Sequence, residues 1–301
     1  MGNGVRGPIF QRPQYHARDP ASPACNMPRL IICLFALLPL CARAQVAAQA
    51  LVFGVNEGVT YHISSAEVRE RYREIADDLT RLLHRPVQVE YMDDYVQMGK
   101  DLLALRYDVA YVHPAHYAIR AIDQAHYRLL AVTKGYTDYR ASFLVRREAK
   151  FESLADPAIH QVGMPDADSI TAWIVRATLR DALGPAAKNL RLRYTRYQDA
   201  VPFMVDYGFV EVGATAAAPV IKAFTGKGGK VLVQSKPVPI KQLIASPSLS
   251  PQEFAHIQQY FLSLDSTEEG QRRLSKLGYQ GFATYDEQEL IAIGHWLDAG
   301  L

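Results

Sequence analysis

The residues best suited to hold a small polar ligand stand where turn-forming sequence runs into the start of an apolar helix. That stretch is Met164-Pro165-Asp166-Ala167-Asp168-Ser169-Ile170-Thr171-Ala172-Trp173, with hydroxyls at Ser169 and Thr171. The first N–H groups of a helix lack intrahelical acceptors and lie at the positive end of its dipole, so such a junction favours an anion. The same residues also read as an ordinary N-cap, in which Asp168 or Ser169 satisfies the helix's own donors. Neutral donors suit reversible capture of an oxyanion, because no charge pair has to be buried and then broken.

Other chemistry-bearing groups are sparse. His113 and His116 are three apart, a spacing compatible with two metal ligands on one helical turn, but no cysteine or third ligand stands near them. The chain is therefore read without metal or cofactor. Gly226-Lys227-Gly228-Gly229 lacks the length and the Ser/Thr of a P-loop and reads as a turn. There is no G-x-S-x-G elbow and no H-E-x-x-H, and the three cysteines (Cys25, Cys33, Cys41) all lie near the amino end. This pattern favours binding over catalysis.

The chain has 301 residues, 49% hydrophobic and 21% charged, with a formal net charge of +2. It is long enough for two domains, and its balanced charge argues against nucleic acid or a membrane surface as a partner. Leu30 to Leu40 is an eleven-residue apolar run between Arg29 and Cys41-Ala42-Arg43-Ala44. A bilayer span needs about twenty residues, so residues 27–44 read as a secretory signal peptide cut after Ala44. Residues 1–26, rich in Pro, Arg and Gly, read as a disordered extension or a mis-assigned start. The large Leu40 before Cys41 argues against a lipid anchor there. The mature product is expected to be exported, soluble, free of thiols and held together by its cores.

To position the anion-binding junction, the sequence supplies alternating strands and helices. Leu51–Val55 reads as a buried strand, Ser65–His84 as a helix capped by Ser64 or Ser65, and Val87–Tyr91 as a second strand. A short helix over Val96–Leu105, a strand over Tyr107–Val112 and a helix opened by Pro114 follow. Strands are predicted at 127–132, 141–146, 161–164, 190–194, 209–214 and 230–234. Helices follow Ser169 and cover 199–206 and 216–224. Beyond Pro237 and Pro239 only helices are expected, at 250–264, 267–277 and 286–297, and these need the first domain to cover them. The pattern is α/β, in two lobes: residues 45–138 with 238–301, and residues 139–237. Open α/β sheets bind ligands beyond the carboxyl ends of their strands, which places a ligand cleft between the lobes.

At this point the sequence resembles a known family. Asp108-Val109-Ala110-Tyr111-Val112-His113-Pro114-Ala115-His116-Tyr117 is similar to the end of the third strand in phosphate/phosphite/phosphonate-type solute-binding proteins of ABC transporters. Asp166-Ala167-Asp168-Ser169-Ile170-Thr171-Ala172 resembles their Ser-Thr-Ser-Gly anion loop. Gln198-Asp199-Ala200-Val201 and Val210-Glu211-Val212-Gly213-Ala214 resemble their His-Asp-Ala-Ala and Val-Asp-Ala-Gly segments. Val233-Gln234-Ser235-Lys236-Pro237-Val238-Pro239 resembles their return crossing. The resemblance runs in order over residues 50 to 290 or so and implies a two-lobed periplasmic-binding-protein fold, each lobe a mixed sheet flanked by helices. It also implies a monomeric, non-enzymatic protein that captures a small oxyanion and presents it to an inner-membrane permease.

By this resemblance the ligand contacts are Tyr61, Tyr111, His113, Tyr139, Ser169, Ile170, Thr171, Gln198 and Glu211. Tyr139 either lines the hinge or packs, and Glu211 either receives a ligand ammonium or is a solvated strand-end carboxylate. Ile170 and Ala172 stand where the family shows Thr and Gly, Gln198 replaces its His, Glu211 its Asp, and His113 a Gly. Asp168 adds a carboxylate beside the anion site. At about 4 Å and an effective dielectric of about 20 that opposes an anion by about 4 kcal/mol, unless the side chain turns away, is protonated or meets a cationic part of the ligand. Two further readings compete: a ligand-sensing domain acting with a separate membrane receptor, and a secreted hydrolase or transferase.

Overall fold

The computed structural model describes residues 49–57 and 64–299. The expected leader and Tyr61 lie outside them. The elements are β1 (Leu51–Val55), α1 (Ser65–Leu83), β2 (Val87–Tyr91), α2 (Tyr95–Leu103), β3 (Val109–Val112), α3 (Ala115–Ala125) and β4 (Arg128–Thr133). Then come β5 (Ser142–Val145), β6 (Gln161–Met164), α4 (Ile170–Leu183), β7 (Arg191–Tyr194), α5 (Val201–Asp206), β8 (Val212–Thr215), α6 (Ala218–Gly226) and β9 (Lys230–Gln234). The chain ends with β10 (Gln242–Ala245), α7 (Pro251–Ser263), α8 (Glu268–Leu277), β11 (Phe282–Ala283) and α9 (Glu287–Asp298).

Among the described residues these strands form two mixed sheets. The first has the order β11-β4-β10-β3-β1-β2, with β1 parallel to β2 and β3, and with β10 antiparallel to β3 and β4. The second has the order β7-β6-β8-β5-β9, with β6 parallel to β7 and β8, and with β5 antiparallel to β8 and β9. Each sheet is the centre of one lobe of an α/β, two-lobed fold.

Two expectations need correcting. The stretch after the prolines is not purely helical: β10 lies in the middle of the first sheet and β11 at its edge. The apolar part of β10 is only Leu243-Ile244-Ala245, too short to announce a strand. Gln242 is tolerated there because its buried Nε2 donates to Pro239 O at 2.7 Å. The strand expected from Phe209 starts at Val212 instead, which leaves Glu211 outside it.

Helix ends follow local chemistry. Ser64 Oγ accepts from Glu67 N–H to cap α1, and Ser250 with Glu253 forms a reciprocal capping box on α7. The α1 stripe Val68, Tyr72, Ile75 and Leu79 packs with α7 and α8 over one face of the first sheet. On the other face lie α2, α3 and α9, in an apolar core that continues through Ile170, Ala172 and Val175 into the second lobe. Each fully buried Leu, Ile or Phe contributes about 1.5–3 kcal/mol. The last helix, α9, touches both lobes: Arg120 of α3 donates to Asp298 at 2.6 Å, and Trp296 Nε1 donates to Asp181 of α4 at 2.8 Å.

The chain crosses between the sheets twice, and the crossings pair with each other. Tyr139 and Val238 exchange N–H···O bonds of 3.3 and 3.0 Å, flanked by Ser235 N–H to Ala141 O and Ile240 N–H to Tyr136 O. No described helix is long and apolar enough to cross a membrane.

Candidate functional site

The carboxyl end of β6 delivers the chain to the N-terminus of α4. Ser169 is the N-cap, its Oγ accepting from Ala172 N–H at 3.2 Å, so the capping role is real. One donor of the first turn is thereby satisfied, and the N–H groups of Ile170 and Thr171 keep no intrahelical acceptor. The Ile170 side chain is buried in the core shared by the lobes, so only its backbone can serve a ligand. Asp168 is exposed, and its own N–H donates to Asp166 Oδ1 at 3.0 Å. Its carboxylate is solvated, which removes most of the repulsion expected of it.

Thr171, 1% exposed, begins a chain of hydrogen bonds that reaches the hinge. Its Oγ1 lies 2.8 Å from the Tyr139 hydroxyl, which accepts from Gln198 Nε2 at 3.1 Å. Gln198 Oε1 accepts from Thr215 Oγ1 at 3.0 Å and from Ala216 N–H at 2.8 Å. Two donors on Oε1 fix the amide, so its NH2 faces Tyr139. The phenol oxygen takes that hydrogen and holds the Thr171 hydroxyl, a contact in which either oxygen can donate. Tyr139, Thr171 and Gln198 were expected to share a site, and the structure brings them together. Thr215, at the carboxyl end of β8, lies one residue beyond the strand expected at 209–214.

The remaining expected residues are dispersed. His113 Nδ1 lies 2.8 Å from Ile240 O beside the return crossing, and burial holds the imidazole neutral, its pKa pushed down to about 4. Nδ1 therefore donates, and Nε2 is an acceptor. The Tyr111 side chain turns the other way, into the core beneath α1, with its hydroxyl 3.2 Å from Thr133 Oγ1. Glu211 sits at the opposite end of the second sheet, its Oε2 accepting from His160 N–H at 3.0 Å and Gln161 N–H at 2.7 Å. It holds the start of β6 and is not placed to receive a ligand ammonium.

The structure adds an aromatic ladder between the lobes. Tyr95 of α2, Tyr117 and His116 of α3 and Trp173 of α4 follow one another with centroid separations of 6.0, 4.2 and 4.7 Å. Arg120 and Arg176 lie over the Trp173 ring at 5.4 and 4.8 Å. Tyr95 donates across the gap to Asp166 Oδ1 at 3.1 Å, just ahead of α4. Both nitrogens of His116 lack hydrogen-bond partners, and burial keeps the ring neutral. No group of three or more potential metal-ligating residues occurs among the described residues.

A second polar cluster lies at the carboxyl edge of the first sheet. Glu57, just beyond β1, accepts from Arg71 Nη1 at 3.0 Å, Tyr72 OH at 3.0 Å and Tyr279 OH at 3.1 Å. Lys241, just before β10, stands over the rings of Tyr136 and Tyr279 at 4.3 and 4.8 Å. The cavity between α1, α7 and α8, by contrast, is lined by groups that already pair: Asp78 accepts from Tyr260 at 2.7 Å and from Arg273 at 3.0 Å.

Two lobes, a paired hinge and a helix N-terminus backed by neutral donors are the parts of a solute-binding protein. Residues 58–290 match the family described as "ABC transporter, phosphonate, periplasmic substrate-binding protein", and the chain belongs to that family. It is a periplasmic substrate-binding component that takes a small ligand and works with an ABC permease; the family is one of transport proteins, not enzymes.

Solved structures share the fold. The Xanthomonas citri protein XAC2383, bound to ATP, is 18% identical with a TM-score of 0.66, covering 84% of this chain and 100% of its own. PhnD1 of Prochlorococcus marinus, in complex with methylphosphonate, is 12% identical with a TM-score of 0.59, covering 82% of this chain and 96% of its own. A binding component of a phosphonate ABC transporter from Pseudomonas aeruginosa is 18% identical with a TM-score of 0.54, covering 82% and 85% respectively. No curated protein matches the sequence.

Proposed function

We propose that this protein captures a phosphonate-type oxyanion between its lobes, with the anion seated at the N-terminus of α4. The observation that supports this is the chain Thr215–Gln198–Tyr139–Thr171, which holds the Thr171 hydroxyl beside the Ile170 and Thr171 N–H groups as neutral groups at one point. Neutral donors hold an oxyanion without an ion pair that must be broken on release. The ligands named with the similar structures, methylphosphonate and ATP, both carry phosphorus oxyanions. In this reading the mature chain begins at Gln45, acts as a monomer in the periplasm without binding nucleic acid, and has lobes of residues 45–138 with 238–301 and 139–237. Ser169 flanks the anion.

Thermal unfolding of the mature protein with phosphate, phosphite, methylphosphonate and alkylsulfonates tests this. A bound oxyanion at a hundred times its Kd adds about 2.7 kcal/mol, a rise of several degrees for a chain of this size. A melting point unmoved by every oxyanion in the set would overturn the reading.

A further inference from the structure

We propose that Lys241 receives a second anionic group of the ligand, so that the cleft selects a phosphonate bearing a carboxylate over alkyl- or aminoalkylphosphonates. The proposal rests on the oxyanion reading of the Thr171 end. Lys241 immediately precedes β10, the strand antiparallel to β3, so it stands at the carboxyl edge of β1 and β3 where ligands of open α/β sheets lie. It is three residues from Val238, which pairs with Tyr139 at the hinge, and one from Ile240, whose carbonyl holds His113. Its backbone is fixed by Thr133 N–H donating to Lys241 O at 3.1 Å.

The ammonium rests on the faces of Tyr136 and Tyr279. Aromatic faces attract a cation but accept none of its three hydrogens in a conventional bond, and among the described residues no carboxylate or carbonyl takes them. Burial pushes this lysine's pKa down, while the nearby Glu57 pulls it up. Glu57 does not neutralise it by contact: its oxygens are occupied by Arg71, Tyr72 and Tyr279, and its side chain is only 8% exposed. Arg71 is shared between Glu57 and Glu67, and among the described residues no carboxylate lies within ion-pair distance of the Lys241 ammonium.

The same accounting argues against an aminoalkyl ligand. Glu57 is nearly buried and already accepts from three donors, and Glu211 is turned to the far end of its sheet. A ligand with an oxyanion at α4 and a second anion toward Lys241 matches the donors both lobes present.

Calorimetric titration of the mature protein and of Lys241→Met with phosphonoacetate, methylphosphonate and 2-aminoethylphosphonate decides the matter. Phosphonoacetate is expected to bind the native protein at least tenfold more tightly than the other two. In Lys241→Met that preference should collapse, while the methylphosphonate Kd stays within about twofold and the melting point of the free protein holds. If 2-aminoethylphosphonate binds tightest, or if Lys241→Met weakens all three equally or none, the Lys241 assignment is overturned and the oxyanion site stands. If none of the three binds the native protein, the Lys241 assignment falls, and the oxyanion reading falls with it only if phosphate, phosphite and alkylsulfonates also leave the melting point unmoved.

Discussion

The imidazole of His116 lies 4.7 Å from the indole of Trp173 with their planes only 24° apart, which stacks the first turn of α3 on the first turn of α4. The two lobes therefore touch through a ring that can take up charge, at a place where charge is poorly tolerated.

Acid should loosen this contact. Burial lowers the pKa of His116 and His113, the latter to about 4, so the folded protein keeps both neutral while the unfolded chain protonates them below about 6.5. Their stabilising contribution is therefore complete above pH 7 and is lost as pH falls through 6.5 toward 4, by up to about 1.4 kcal/mol per pH unit for each imidazole. Arg120, Arg176 and His113 face His116 and all disfavour its protonation. His116→Phe, which keeps a ring in the stack, should flatten the fall in melting point between pH 7 and 5. An unchanged fall would show that His116 is not the titrating group.

The hinge relay is expected to serve both stability and binding. Tyr139→Phe leaves Gln198 Nε2 and Thr171 Oγ1 without their shared partner, a loss of about 1–3 kcal/mol in denaturant unfolding. Because the Thr171 hydroxyl then loses the partner that holds it, oxyanion affinity should fall as well. Stability lost with affinity intact would separate the relay from the site.

Tyr95→Phe removes the hydrogen bond to Asp166 that crosses between the lobes, a contribution of about 0.5–1.5 kcal/mol to the closed form. Stopped-flow release of a bound phosphonate should quicken several-fold with little change in the association rate. Equal release rates in the two proteins would place the bond outside the closure.

Gly54, in the middle of β1, has no room for a side chain. A Cβ there would stand 2.5 Å from the Tyr107 ring, which is itself anchored through its hydroxyl to Asp101 at 3.1 Å. Gly54→Ala should lower stability by about 1–3 kcal/mol, as read from the shift of the urea midpoint.

Much of this architecture is legible in the chain itself. The buried run of β1, the stripe of α1 and its cap at Ser64 are local signals that survive folding. The relay's members Tyr139, Thr171 and Gln198 could be gathered because their segments resemble a known order. Tyr111 could not be oriented: β3 is buried on both faces, so its apolar run does not say which residues point to which helices. Glu211 was misplaced because a strand start moved by three residues, enough to carry a side chain from the wall of a cleft to a backbone clamp. The aromatic ladder and the Lys241 cation–π pair depend on docking between distant segments. Before folding, Lys241 is one more lysine after a pair of prolines.

The position of β10 bears on how the chain must assemble. In the first sheet β10 separates β3 from β4, yet more than a hundred residues and the whole second sheet intervene between β4 and β10. A chain emerging amino end first exposes β1 to β4 with an open seam and can complete the second lobe before that seam is filled. Closing it demands pairing across a long sequence separation, which is slow and leaves bare strand edges in the meantime. A protein built this way has reason to stay unfolded until its whole length has been delivered.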